Sequence, residues 1–433
     1  MKPPFQFFRN AQFNFSTKVA LGGIYHQGAD VGEVLATVAR IKDGDCESWY
    51  RAWHDIGERV YASATQSAHN GQALSAAQCY LRAAGHFARA AVTLDGTADA
   101  SRYLPAWKQS RNCWDQFARL SAQPIEAVLI PYEGTTLPGY FCKADASMAP
   151  RPLLVIANGA DAPIHAMWLW AGAAALARGY NVLLFDGPGQ GAALVRQGMP
   201  FRHDWENVIG PVLDFVTQRA DVDAARIALY GASQGGHWAL RAMAFEPRIA
   251  AGIADPAAHT LSVAWEAHLP GRLRALLDAG DEQRFNRALG WGLTFSRVAR
   301  QTLAMRMRPY LTDSPFKAFT AARLHKLGDL CEQIRCPVLL CEPDGEQFWP
   351  DQAQQIYQSL PCEKTLAHFA VEDGADGHCE PMARSQLEQR MFDWLAQVMP
   401  PKPDQGGGAL ASHARGDMPT RCANTRDSAD ALA

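Results

Sequence analysis

The stretch that most constrains this chain is residues 227–238, which reads Ile-Ala-Leu-Tyr-Gly-Ala-Ser-Gln-Gly-Gly-His-Trp. A short apolar run, the pentapeptide Gly231-Ala232-Ser233-Gln234-Gly235 and then helix-forming residues predict a strand, a sharp turn and a helix. Such a turn holds its central residue in strained backbone geometry. The positions two before and two after must therefore lack side chains that collide with the neighbouring strand and helix. Gly231 and Gly235 meet that demand. A serine held there lifts its hydroxyl above the carboxyl edge of a sheet. The amide of the next residue, Gln234, then points from the opening helix turn, where negative charge is stabilised. Ser233 is the candidate nucleophile, and the Gln234 amide is a candidate oxyanion donor.

The rest of the chain supplies the layers such a turn needs. Residues 1–120 read as a helical block: segments 31–41, 46–64, 74–92 and 100–120 place apolar residues three and four apart, with Asp-Gly and Asn-Gly breaks between them. Residues 121–258 change rhythm. Two extended runs around Glu133-Gly134 predict a hairpin. Short unbroken apolar runs at 153–157, 181–185 and 249–254 then alternate with helical segments at 168–178 and 205–218, as in a doubly wound parallel sheet. Residues 259–330 are helical and aromatic-rich, an expected insertion over the carboxyl edge of the sheet. The sheet resumes in 331–399, with strands at 337–341 and 365–369 and a closing helix at 385–398. Residues 400–433 are rich in Gly, Pro, Asp and Ser and read as a disordered tail.

Composition excludes several functions. Charged residues make up 20% of the 433, the formal net charge is −3 and no long basic run appears, so neither nucleic acid nor a membrane is an expected partner. A small, largely neutral substrate fits better. The ten cysteines lack paired zinc-ligand spacing and read as reduced thiols, with no metal site. The loop 186–191, Asp-Gly-Pro-Gly-Gln-Gly, lacks the spacing of a nucleotide-binding loop. No signal peptide or membrane span is evident, and a cytoplasmic enzyme is the default expectation.

A serine hydroxyl needs a base, and the base needs an orienting acid. His378 sits in the polar loop Glu372-Asp-Gly-Ala-Asp-Gly-His378, just beyond the last predicted strand, from which an imidazole reaches back over Ser233. His368 lies within that strand and reads as an ordinary strand residue. The loop Glu342-Pro-Asp-Gly-Glu-Gln-Phe-Trp-Pro350 offers two acids. Glu346 is favoured by its distance from the proline that opens the next helix and by its longer reach; Asp344 is the alternative. The second oxyanion donor is expected from Asn158-Gly159-Ala160-Asp161, as the amide of Ala160 or of Asp161, and the Asp161 side chain either shapes the pocket entrance or caps the following helix.

Taken together, the segments 130–140, 185–191, 231–236, 246–251 and 374–378 resemble a branch of the α/β hydrolases. That branch contains 2,6-dihydroxypseudooxynicotine hydrolase, fungal polyketide-shortening hydrolases of pigment synthesis and FrsA-like esterases. The resemblance runs from about residue 40 to 398 and implies an α/β-hydrolase core with a helical cap built from the N-terminal block. It also implies no cofactor, often a homodimer, and cleavage of a carbon–carbon bond beside a carbonyl in some members. Ser233 and His378 fall on that family's nucleophile and base. Departures are Gly345, near where the family has Asp, and Ala162-Pro-Ile-His-Ala-Met, where a charged sequence is the family's habit. Small acyl or β-dicarbonyl compounds are the expected substrates, with ester or thioester cleavage and acyl transfer open to the same machinery. A binding protein of the same fold is a further alternative. Glu266, after the sixth strand, is a candidate for orienting a polar substrate group, the alternative being a solvated helix charge.

Overall fold

The computed structural model describes residues 5–400; the segment read as a tail falls, from residue 401 on, outside the described residues. Eight strands form one sheet: β1 (Ile125–Tyr132), β2 (Thr135–Cys142), β3 (Arg151–Ala157), β4 (Asn181–Phe185), β5 (Val222–Ala232), β6 (Ala251–Asp255), β7 (Val338–Pro343) and β8 (Lys364–Phe369). Their order is β1-β2-β4-β3-β5-β6-β7-β8. β1 and β2 form the predicted hairpin, β2 runs antiparallel to β4, and every other neighbour is parallel. The hairpin turn is tight because Glu133 and Gly134 both take positive φ, 40° and 79°, the mirror-image turn that matches strand twist.

Strand alternation sorts the core. Leu154, Ile156, Val182, Leu184 and Tyr230 face one side of the sheet, and Leu153, Val155, Leu183, Phe185 and Leu229 the other. The first side is covered by the N-terminal helices Ala11–Gly22, Cys46–His69, Ala73–Ala91 and Tyr103–Leu120 and by the closing helix Arg384–Val398. Trp49, Trp53 and Trp114 have no exposed surface there. The N-terminal block thus shares one continuous core with the sheet. The second side is covered by helices Glu206–Thr217, Gln234–Phe245 and Gln352–Ser359. Here Trp205 and Trp238 stack at 4.1 Å and 7°.

Between β6 and β7 the helices Gly271–Asp278, Glu282–Leu293 and Pro315–Arg323 bury a small core of their own around Leu273, Phe285 and Phe319. The following links tie this insertion to the N-terminal block. Arg297 Nε donates to the Gly96 carbonyl at 3.1 Å, the Cys46 thiol to Gln301 Oε1 at 3.1 Å, and Gln301 Nε2 to Gln12 Oε1 at 3.2 Å.

Two local features differ from the periodicity. The helix predicted over 168–178 is broken into Ile164–Met167, a π-helical turn Trp168–Gly172 and Ala173–Ala177. An extra residue of this kind is invisible to a 3.6-residue template. Helix Ala11–Gly22 precedes the first helix that the spacing picked out; Asn10 caps it by accepting the Phe13 amide at 3.0 Å.

Two glycines give a direct check on the packing. A Cβ on Gly235 would lie 2.3 Å from the Ala157 carbonyl oxygen and 2.7 Å from that of Asn158, whereas one on Gly290, inside helix Glu282–Leu293, meets nothing within 4 Å. Urea unfolding is expected to show Gly235→Ala destabilised by about 1–3 kcal/mol and Gly290→Ala stabilised by about 0.5–1 kcal/mol.

Candidate active site

Ser233 sits between β5 and helix Gln234–Phe245 with φ 56° and ψ −127°, a conformation costly for a residue with a side chain. Contacts on both sides enforce it. A Cβ on Gly231 would stand 2.1 Å from the Gly235 carbonyl oxygen, so strand and helix touch backbone to backbone. On the β6 side, the Ser233 amide donates to the Asp255 carbonyl at 2.5 Å.

Two loops from the same edge of the sheet meet this hydroxyl. His378, in the loop after β8, places Nε2 2.8 Å from Ser233 Oγ and Nδ1 2.7 Å from Glu346 Oε2. Glu346, in the loop after β7, accepts the amides of Phe348 (2.8 Å) and Trp349 (3.2 Å) on its other oxygen. The carboxylate and imidazole are buried, with side-chain exposures of 7% and 5%. Burial pushes the Glu346 carboxyl up, but the His378 imidazole and the two amides outweigh it and leave the group below its ordinary value. Glu346 is therefore ionised at neutral pH, and an ionised acid holds Nδ1 as the donor so that Nε2 is free to accept.

The structure separates the two candidate acids. Asp344 accepts the Val371 amide at 3.0 Å and lies 3.2 Å from His368 Nε2, bracing β7 against β8. Gly345 explains why the longer residue reaches the histidine. Its amide donates to the Asp376 carbonyl at 2.9 Å, and a Cβ there would lie 2.8 Å from that oxygen, so the acid loop presses directly on the histidine loop. The next residue, with one more methylene than aspartate, completes the chain.

The loop after β3 packs beside Ser233. A Cβ on Gly159 would come within 2.9 Å of Ser233 Cβ. Asn158 Oδ1 takes the Gly159 amide at 2.8 Å and Asn158 Nδ2 donates to the Ala162 carbonyl, while among the described residues nothing accepts the amides of Ala160 and Gln234. Gln190, which the sequence reading passed over within its glycine-rich loop, braces this turn. Its Nε2 donates to the carbonyls of Asn158 (2.9 Å) and Gly159 (2.8 Å), and its Oε1 accepts the Gly187 amide at 2.9 Å. The signal was the loop Asp186–Gly191 itself, whose glycines let a glutamine fold back under the neighbouring turn.

Asp161 keeps accessible surface although protein crowds its carboxyl, and it does not cap the following helix, Ile164–Met167, whose N-cap is Pro163 with no side-chain cap bond. Burial raises its carboxyl above the ordinary value, opposed by the charges of His378, Arg308 and Arg306. Phe348, Trp349 and Phe15 surround the His378 ring at 4.8, 5.7 and 6.0 Å, so the unanticipated helix Ala11–Gly22 contributes to the site. Glu266 is not brought to this cluster. Arg323 holds both its oxygens at 2.7 Å, and Arg274 stands 4.0 Å away, so its carboxylate is committed to the insertion's own ion pairs.

A model of the alpha/beta hydrolase family matches residues 154–390, which include the whole Ser233, His378 and Glu346 arrangement. The chain belongs to that family. Among curated relatives of this hydrolase, the 20-hydroxy-prefusarin hydrolase FUS2 of Gibberella moniliformis is 32% identical over 92% of this chain and 99% of its own length. Hydrolase LUC6 of a Fusarium species is 32% identical over 91% and 98%. Among solved structures, 2,6-dihydroxy-pseudo-oxynicotine hydrolase shares the fold with a TM-score of 0.69 at 19% identity, over 87% of this chain and 95% of that one. The enzyme is a hydrolase.

Amide substitutions separate the roles of the two acids. With an alkyl fluorophosphonate as probe, Glu346→Gln is expected to slow labelling of Ser233 by on the order of 10⁴-fold. Asp344→Asn is expected to leave labelling close to wild type; equal losses would remove the distinction. Gln190→Leu, which unpins the turn at 158–159, is expected to cost on the order of 10²-fold in labelling rate.

Proposed function

We propose that this hydrolase works through an acyl-enzyme on Ser233, with His378 as base and Glu346 as orienting acid. The observation that carries the reading is the unbroken hydrogen-bonded chain from Glu346 through His378 to the Ser233 hydroxyl at 2.7 and 2.8 Å. His378 Nε2 takes the hydroxyl proton as Ser233 Oγ attacks a substrate carbonyl, and the free amides of Gln234 and Ala160 are the donors for the oxyanion.

The favoured substrate is a polyketide-like 1,3-dicarbonyl. When its tetrahedral adduct collapses, the bond between the acyl carbon and the intervening carbon breaks. The electron pair leaves as an enolate stabilised by the second carbonyl, and the His378 imidazolium returns the proton to it. Water, deprotonated by His378, then releases the acid and restores the serine. Esters and thioesters would pass through the same acyl-enzyme. The aromatic surround of His378 supports a substrate with apolar surface beside the reacting carbonyl, and the relative named as a 20-hydroxy-prefusarin hydrolase supports a substrate of related class.

The test is turnover of a β-diketone or acyl-phenone beside p-nitrophenyl esters of increasing chain length, with Ser233→Ala as control. The diketone is expected to be preferred in kcat/KM, and the control to lose at least about 10⁴-fold on every substrate. Turnover of esters alone would reassign the enzyme to carboxylesterase or thioesterase chemistry, and an active Ser233→Ala protein would sink the acyl-enzyme altogether.

A further inference from the structure

Behind the Ser233 turn lies a second group of titratable side chains that this chemistry leaves unused. Asp255 ends β6, Glu380 follows His378 by two residues, and neither has exposed surface. Tyr230 donates its hydroxyl to Asp255 Oδ2 at 2.7 Å. Among the described residues, no N–H or O–H group of another side chain or of the backbone reaches Asp255 Oδ1 or either Glu380 oxygen. The two carboxyl groups instead face each other, placed for a hydrogen bond between them. Ionised carboxylates only accept, so this bond requires a proton on one of them. The cation in contact with the cluster is Arg384, 4% exposed, whose Nε donates to the Glu380 carbonyl at 3.2 Å and whose two Nη atoms have no acceptor. One proton on the pair leaves one negative charge, which Arg384 balances.

Both carboxyl groups belong to the backbone that carries the reacting residues. The Asp255 carbonyl accepts the Ser233 amide at 2.5 Å and the Cys379 thiol at 3.2 Å. Cys379 and Glu380 take φ of 57° and 40°, a strained conformation that persists only when its surroundings over-determine it. The Glu380 amide donates to the Gly377 carbonyl at 2.7 Å and closes the turn immediately behind His378. The acid pair thus joins the end of β6 to this turn, linking the two backbones whose register sets the distance from Ser233 to His378.

We propose that Asp255 and Glu380 are positioning residues: one shared proton joins their carboxyl groups, Arg384 neutralises the pair, and the joint holds the Ser233 turn and the His378 loop in register. The proposal rests on the roles given above to Ser233 and His378. Burial and then the Asp255 charge push the Glu380 carboxyl well above the usual carboxylate range, and burial raises Asp255 too. Tyr230, Cys341 and Cys379, which face the pair from β5, β7 and the histidine loop, are also pushed well up by burial and stay neutral. Arg384 supplies the compensating charge, with His378 and Glu346 the further titratable groups that act on the pair.

A raised carboxyl pKa in the folded state gives stability that is full below the ordinary carboxyl pKa and is lost as pH rises through the folded value. Glu380→Gln keeps a donor for Asp255 and cannot ionise. Its thermal midpoint is therefore expected to gain on wild type steadily between about pH 5 and about pH 8. Its rate of Ser233 labelling by a fluorophosphonate at neutral pH is expected to stay near wild type. Glu380→Leu, which removes the joint, is expected to lower the maximal labelling rate about 100-fold without changing the reagent concentration for half-maximal rate. Parallel midpoint curves for wild type and Glu380→Gln, or a folded Glu380→Leu protein labelled at the wild-type rate, would overturn the proposal. If Glu380→Leu does not fold, the midpoint comparison decides alone. Failure of wild type to label would count against the nucleophile reading, while the midpoint comparison would still judge the acid pair.

Discussion

The arrangement depends on one strained residue. Ser233 is held at φ 56° because the strand before it and the helix after it touch backbone to backbone across Gly231 and Gly235, and because its amide is tied to the end of β6. Strain of this kind survives only where neighbours leave no alternative. Much of the architecture supplies those neighbours. β5 is flanked by β3 and β6 in parallel register, helix Gln234–Phe245 is pinned by the Trp205 and Trp238 stack, and Trp238 Nε1 donates to His325 Nδ1 at 3.2 Å.

Around that residue the loops from β3, β7 and β8 are fixed to one another rather than left free. Gly345 binds the acid loop to the histidine loop, Asp344 binds it to Val371, and Gln190 secures the turn at 158–159. Together these contacts fix the distances among Ser233, His378 and Glu346. A buried carboxylate that accepts two amides and an imidazole is preorganised, and it needs no rearrangement when the imidazole becomes charged.

Much of this was legible in the chain. The Gly-x-Ser-x-Gly turn, the alternation of apolar runs with helical segments and a histidine in a polar loop after the last strand each reflect short-range rules of backbone geometry and burial. The hairpin at Glu133-Gly134 was equally plain. Other features were not. Helix Ala11–Gly22 has weak apolar spacing, and its place beside His378 follows from packing. The π-helical turn at Trp168–Gly172 adds a residue that no periodic template registers. Gln190 read as part of a loop because its partners, the carbonyls of Asn158 and Gly159, are about thirty residues away. For Glu266 the spacing leaves a pocket acid and a solvated helix charge both open, and its ion pair with Arg323, far along the chain, is set by the fold.

The sequence by itself determined the fold class, the position of Ser233 in its strained turn and the histidine that faces it. These follow from local demands: glycine where no side chain fits, apolar residues where both faces of a strand are covered, polar loops at strand ends. Only the tertiary structure decided which of Glu346 and Asp344 meets His378, placed the N-terminal helices on one face of the sheet, and brought Asp255, Glu380 and Arg384 into one buried cluster. Those outcomes turn on which side chains from distant segments meet and on how far each can reach, and that is set by the packing of the whole chain.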